Sequence, residues 1–288
     1  MRSVAGHLAR CRASTNEPAP PTKNAHVKPN TVKSVILFLL ACSVRAVGQG
    51  QNPHDAQPER PTVATHAGTV APGWLEIEAG GELDRNDDNS HAILVPVNVK
   101  VGLGSNTQLN FFPTGIKTPL GRAIEFGDLS LGIKWRIADD LPLLGRFALL
   151  PSVKLPTGLT STGAGTGTLD GTILLISSND LGGVALDINV GYTRRSGDGK
   201  ATPREASLWT FSFGGPGIGE LGWTAEVYGY PGTSGPAGAS RTVAILAGPT
   251  LAWRPWLVFD MGLIEPIVGP QPYAFFCGVT WNIGRISP

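Results

Sequence analysis

Charge is scarce in this chain. Lys, Arg, Asp and Glu make up 16% of its 288 residues, against about a quarter in ordinary soluble domains, so ionic groups are too few for the usual solvated surface. Long apolar runs are lacking too. The longest, Val35 to Val44 (VILFLLACSV), holds roughly ten residues where a bilayer-crossing helix needs about 20, which excludes a transmembrane helix. A sustained period of 3.6 is absent throughout, which argues against a helical bundle. Cysteine is limited to Cys11, Cys42 and Cys277. What is present is 41% hydrophobic residues and 38 Gly, a composition too apolar for disorder.

The N-terminal part reads as an address. Lys23, Lys28 and Lys33 precede the short apolar run, and Ala46-Val47-Gly48 follows it with small residues where a signal peptidase reads. Residues 1–48 are therefore expected to be a presequence with a signal peptide, cleaved after Gly48. Leu39-Leu40-Ala41-Cys42 is a weaker, lipobox-like alternative, and the long basic lead suggests a true start further along, with Val27 as a candidate. Cleavage removes seven of the 23 Lys and Arg and one of the 22 Asp and Glu, leaving 16 basic against 21 acidic groups, a net of about −5. That balance argues against nucleic acid as a partner. It also strands Cys277, so the exported chain has no internal disulfide.

Residues 49–72 are polar, Pro-rich and without a period, and are expected to form a mobile periplasmic arm. From Trp74 the alternation of extended chain takes over. GWLEIEAGGEL sets Leu75, Ile77, Ala79 and Leu83 against Glu76, Glu78 and Glu82; HAILVPVNVKVGL sets Ile93 to Val101 against Asn98 and Lys100; GVALDINVGY sets Val184 to Tyr192 against Asp187 and Asn189. Twelve such segments begin near residues 73, 91, 106, 125, 145, 168, 182, 205, 219, 241, 256 and 272. Connections after odd-numbered segments are long and polar or Gly/Pro-rich, whereas those after even-numbered ones are mostly tight. Membrane barrels show this asymmetry, with short periplasmic turns and longer outer loops; Greek-key sandwiches do not. Trp74, Trp135, Tyr192, Tyr228, Trp253, Trp256, Tyr273 and Trp281 gather near strand ends, as an interfacial girdle requires.

The expected fold is thus all-β: a transmembrane antiparallel up-and-down β-barrel of about 12 strands over residues 73–288, seated in outer-membrane lipid. In GDLSLGIKWRI (127–137), Leu129, Leu131, Ile133, Trp135 and Ile137 then face lipid, and the opposite face lines the lumen. By this rule the lumen candidates are Glu76, Glu78, Lys100, Asp128, Lys134, Arg136, Lys154, Asp187, Glu226 and Asp260. Twelve strands leave a narrow interior. Mixed charge there either crosslinks into a plug or lines a weakly ion-selective pore.

Three stretches, GDLSLGIKWRI, LLPSVKLPTG (149–158) and GTGTLDGTILL (165–175), resemble the outer-membrane proteins grouped as the MetA-pathway of phenol degradation family. ERPTVATHAGTVAPGWLEIEAGGEL (59–83) is similar to that family's Asp-Arg-Pro entry segment, with Glu59 in place of Asp. The resemblance runs from Glu59 to the end and implies a porin-like or transporter barrel. Many such barrels end on an aromatic residue read by the outer-membrane assembly machinery; this chain ends Ile286-Ser287-Pro288, with Trp281 or Ile283 as substitutes.

Catalytic signatures are weak. Gly217-Ile218-Gly219-Glu220-Leu221-Gly222 fits a dinucleotide fingerprint, but an alternating strand follows rather than a helix, and Gly163 to Gly167 lacks the Lys-Ser/Thr of a P-loop. After residue 48, histidines are His54, His66 and His91, with no spacing that pairs a base with a nucleophile or builds a zinc site. DRNDDNS lacks EF-hand spacing. The sequence therefore predicts no enzyme, cofactor or metal, and instead a monomeric passive channel or uptake protein for small, aromatic or apolar molecules. The alternatives are a surface-interaction barrel with a plugged lumen and a soluble secreted β-sandwich.

Overall fold

The computed structural model describes residues 52–286 apart from 87–88, 120, 122, 200–201 and 236–237. The expected presequence lies outside the described residues. The strands are β1 (Trp74–Arg85), β2 (His91–Gly104), β3 (Thr107–Phe112), β4 (Thr114–Lys117), β5 (Glu125–Phe126), β6 (Leu129–Leu141) and β7 (Gly145–Leu155). They continue as β8 (Asp170–Asp180), β9 (Ala185–Arg195), β10 (Glu205–Pro216), β11 (Leu221–Tyr230), β12 (Thr242–Arg254), β13 (Leu257–Val268) and β14 (Tyr273–Arg285).

Every pairing between them is antiparallel, and β1 hydrogen-bonds both β2 and β14, which closes the wall. The fourteen segments make twelve staves. β3 and β4 are one stave broken at Pro113, which has no N–H to give the ladder; β5 and β6 are the next, broken at Gly127-Asp128. The fold is the closed, up-and-down barrel that the alternation predicts, and it excludes the β-sandwich.

Its burial is inverted. Ile133, Trp135 and Ile137 of β6 are about half exposed on the outer face, while Lys134 between them, Lys100 on β2 and Glu76 on β1 are fully buried. Alternation thus sends apolar side chains out to lipid and polar ones inward, as a membrane barrel requires. No helix among the described residues is long and apolar enough to cross a membrane.

One expectation fails. The segment expected to be a mobile periplasmic arm is inside the barrel over most of its length: Val63, Ala64, Thr65, Ala67 and Val70 are buried in the lumen. Its composition gives it no partner strand, but the wall supplies what a strand would, namely acceptors for its N–H groups.

Candidate functional site

The arm threads the lumen as irregular chain, so each N–H it buries needs an acceptor. Side chains of the wall provide them in sequence. Gln57 N donates to Glu76 Oε2 (2.7 Å) and Glu59 N to Glu78 Oε1 (2.6 Å). Val63 N and Ala64 N donate to the two oxygens of Glu226, both at 2.7 Å. Thr65 N meets Asn189 Oδ1 (2.7 Å), and the same amide returns a bond from Nδ2 to Thr65 O (3.0 Å). Ala67 N donates to Ser178 Oγ (2.7 Å) and Val70 N to Gln108 Oε1 (2.8 Å). These acceptors come from β1, β11, β9, β8 and β3, so the arm crosses the interior instead of following one stave.

Two arm side chains complete the attachment. The Arg60 guanidinium pairs with Asp260 (Nη2 to Oδ1, 3.1 Å; Nε to Oδ2, 3.2 Å) and donates to Cys277 O. Glu59 pairs with Lys134, whose ammonium also reaches Thr65 Oγ1 (2.9 Å) and His66 O (2.8 Å). Lys100 is held between Glu76 (2.5 Å) and Glu78 (2.9 Å) and donates to Gln57 O. The arm is therefore fixed by charge-assisted hydrogen bonds, the stronger class.

These charges set the protonation of the arm. Burial alone would raise the Glu59 carboxyl, but the ammonium groups of Lys134 and Lys100 outweigh it and hold it well below the usual carboxylate range. His66 is pushed down to about 3, first by burial and then by the Lys134 charge. Its Nδ1 accepts from Gly68 N (2.9 Å), so the ring is neutral and tied into the arm's own turn.

The ten lumen candidates separate into three groups. Glu76, Glu78, Lys100, Lys134, Glu226 and Asp260 meet at the arm, and Asp187 joins them through Ser178, whose hydroxyl donates to it (2.5 Å). Asp128 and Lys154 form a second cluster toward the long-loop end, paired at 2.9 Å with Asp170 also on Lys154 (3.0 Å). Arg136 belongs to neither. It lies at the short-turn mouth, donating to Ser105 O (2.6 Å) and facing Asp139, because two residues along a strand move a side chain one pleat nearer the rim.

Asp128 also organises the loop 156–169. Its carboxylate accepts from Gly158 N (3.1 Å), Thr166 N (2.9 Å) and Thr166 Oγ1 (2.7 Å), drawing the loop inward over the broken staves. Between that loop and the arm lies a cavity of about 200 Å³, lined by arm residues 59–65 below and by Thr166, Thr168, Thr202 and Ser234 toward the loops.

Sequence reasoning missed the neutral members of the site. Asn98, Gln108, Asn110 and Asn189 are all buried at the arm, and Asn98 links Glu59 to Asn110. Parity is their signal in the sequence: each stands on the polar face of its alternating segment, beside the charged candidates. At the short-turn mouth His54 is stacked on Trp256 (5.7 Å between centroids, 6° between planes), and Asn282 Nδ2 donates to Pro53 O and Asp55 O.

A family model described as "Putative MetA-pathway of phenol degradation" matches residues 90–262. Among solved structures, the chain is similar to the COG4313 outer membrane channel from Pseudomonas putida F1 (TM-score 0.59, 11% identity, covering 75% of this chain and 97% of that one). It is also similar to the KdgM porin in complex with disordered oligogalacturonate (TM-score 0.49, 8% identity, covering 72% of this chain and 99% of that one). No curated protein matches the sequence.

Proposed function

We propose, from the premise that the chain belongs to the MetA-pathway of phenol degradation family, that it is a bacterial outer-membrane channel for passive entry of small molecules. The observation that carries this reading is how the lumen is closed. The wall continues around the arm without needing it: the staves pair with one another, and the arm is attached mainly through side chains. A stopper joined this way leaves an intact pore when displaced. The pore wall at the arm then carries Glu76, Glu78, Asp187, Glu226 and Asp260 against Lys100 and Lys134, an acidic excess that favours cations over anions among charged solutes. The apolar side chains around the outer cavity suit aromatic or apolar cargo.

The second reading, a barrel whose outer loops do the work while the lumen stays shut, is favoured by the same arm, whose buried donors are so fully satisfied. Planar-bilayer recordings separate the two. The channel reading expects rare openings from the parent protein and frequent, cation-selective ones from the Glu59→Ala/Arg60→Ala double variant, which removes both ion pairs of the arm. Silence from both, with folded barrels shown by heat-modifiable gel mobility, would sink it.

A further inference from the structure

The outer cavity has two chemistries. Its lower part is apolar, lined by Val63, Phe112, Leu150, Leu174 and Leu208, and its upper part is a collar of Asp128, Lys154, Asp170 and Arg195. Two cations and two carboxylates leave the collar with no net charge. Its cationic donors are committed. Lys154 reaches Asp128, Asp170, Thr166 and Thr168, and Arg195 donates to Pro203 O (3.1 Å), Ser234 O (3.3 Å) and Gly235 O (3.0 Å). One acceptor is not committed. Asp170 is only 7% exposed, and its Oδ1 has no hydrogen-bond partner among the described residues. A buried carboxylate oxygen left without a donor is costly, and native structures rarely keep one without a reason.

We propose that this cavity is a binding site for a small amphiphile with a hydrogen-bond-donating head, an alcohol or a primary amine, and that Asp170 is the residue that selects it. The apolar part of such a ligand lies on Leu150, Leu174 and Leu208, and its head turns the Asp170 carboxylate so that Oδ1, closed to water as it stands, gains the missing donor. A carboxylate or phosphate head brings acceptors to a collar whose ammonium and guanidinium are already engaged, and is disfavoured. Volume sets the size. A cavity of about 150 Å³ holds benzene, so about 200 Å³ admits one ring and a short substituent. The proposal deepens the channel reading by naming a cargo chemistry, and rests on that reading for its role in entry.

The test uses the full chain in phosphatidylcholine nanodiscs and three probes that share a body: para-fluorobenzylamine, para-fluorobenzyl alcohol and para-fluorobenzoate. Fluorine NMR titration, with protein-free nanodiscs subtracting lipid partition, is expected to show the amine and the alcohol binding at least about tenfold tighter than the benzoate. Asp170→Asn, which offers an amide where the acceptor stood, should reduce that gap to about threefold or less. Leu208→Trp, which fills the floor, should abolish binding of all three. Should Asp170→Asn not fold, the ranking in the parent protein and the effect of Leu208→Trp decide. Binding no greater than in empty discs, a benzoate preference, or an unchanged ranking in folded Asp170→Asn would each overturn the proposal. Conductance of the same preparation keeps the two ideas apart: a barrel that conducts but ranks the probes equally loses the site and keeps the channel, and one that ranks them but never conducts does the reverse.

Discussion

Gly80 on β1 and Gly278 on β14 face each other across the closing seam of the barrel, and the space two Cβ atoms would take is filled by the Arg60 guanidinium. A Cβ at Gly80 would lie 2.4 Å from Arg60 Nη2, and one at Gly278 2.4 Å from Arg60 Nε. Asp260, opposite Gly278 on β13, completes the slot with the carboxylate. Gly80→Ala or Gly278→Ala should therefore push Arg60 off Asp260 and destabilise the docked arm by about 1 to 3 kcal/mol, the usual cost of overpacking. Protease cleavage within residues 52–72 of the folded barrel, faster in both variants than in the parent, is the expected result; unchanged cleavage would remove the slot as an anchor.

A second prediction isolates the buried ion pair between the arm and β6. Lys134→Gln leaves Glu59 buried without its ion-pair partner, with only the more distant Lys100 charge to offset it, and should cost about 3 kcal/mol or more of arm or barrel stability. Adding Glu59→Gln should return most of that loss, since the penalty lies in the lone charge. Arg136→Gln, at the exposed mouth, should cost no more than about 1 kcal/mol. Thermal shift of heat-modifiable mobility reads all three, and equal losses for Lys134 and Arg136 would contradict the placement.

Acid should loosen the arm. The His66 ring titrates at about 3 when docked and near 6.5 when free. Between those values the released arm takes up a proton that the docked arm refuses, so docking is at full strength above about pH 6.5 and weakens progressively toward pH 3. Glu59, held below its usual range by Lys134 and Lys100, acts in the same sense once the pH drops under about 4.3. Open probability in bilayers is expected to rise as pH falls from 7.5 to 4.5, and His66→Gln should flatten the upper part of that rise. A profile that stays level in the parent protein refutes the assignment.

The orientation of the wall is tested at Leu131 on β6, which pairs with Phe111 and Val153 and stands on the outward face. Leu131→Arg should cost about 2 to 4 kcal/mol near the bilayer midplane. Refolding yield into lipid vesicles measures it, and a yield equal to that of the parent would mean this face does not meet lipid.

What the sequence disclosed and what it withheld follow from one distinction. Alternation is a local property, so GDLSLGIKWRI already shows Lys134 turned away from Trp135, and the ten candidates fall on the inward parity. The staves were legible for the same reason, down to the contrast of long and tight connections. The partner of Lys134 was not legible. Glu59 lies 75 residues away in a segment with no period, and its position depends on acceptors contributed by five different strands. Arg136 shows the converse, since parity gives it the same face as Lys134 but says nothing of its height in the barrel.

The arm begins and ends at the same mouth. Asp55 and Ala56 are tied to Asn282 and Pro255 at the short-turn end, and Pro72 and Gly73 rejoin the wall beside Gly102 at that end as well. Topologically it is a bight pushed into a ring, with no strand of the wall passing through it. It can be drawn out as a loop toward that side with every stave still paired and with no chain end pulled through the barrel. Unplugging therefore requires breaking a finite set of side-chain bonds and no wall hydrogen bonds, and the same path run backward reseats the arm in its slot.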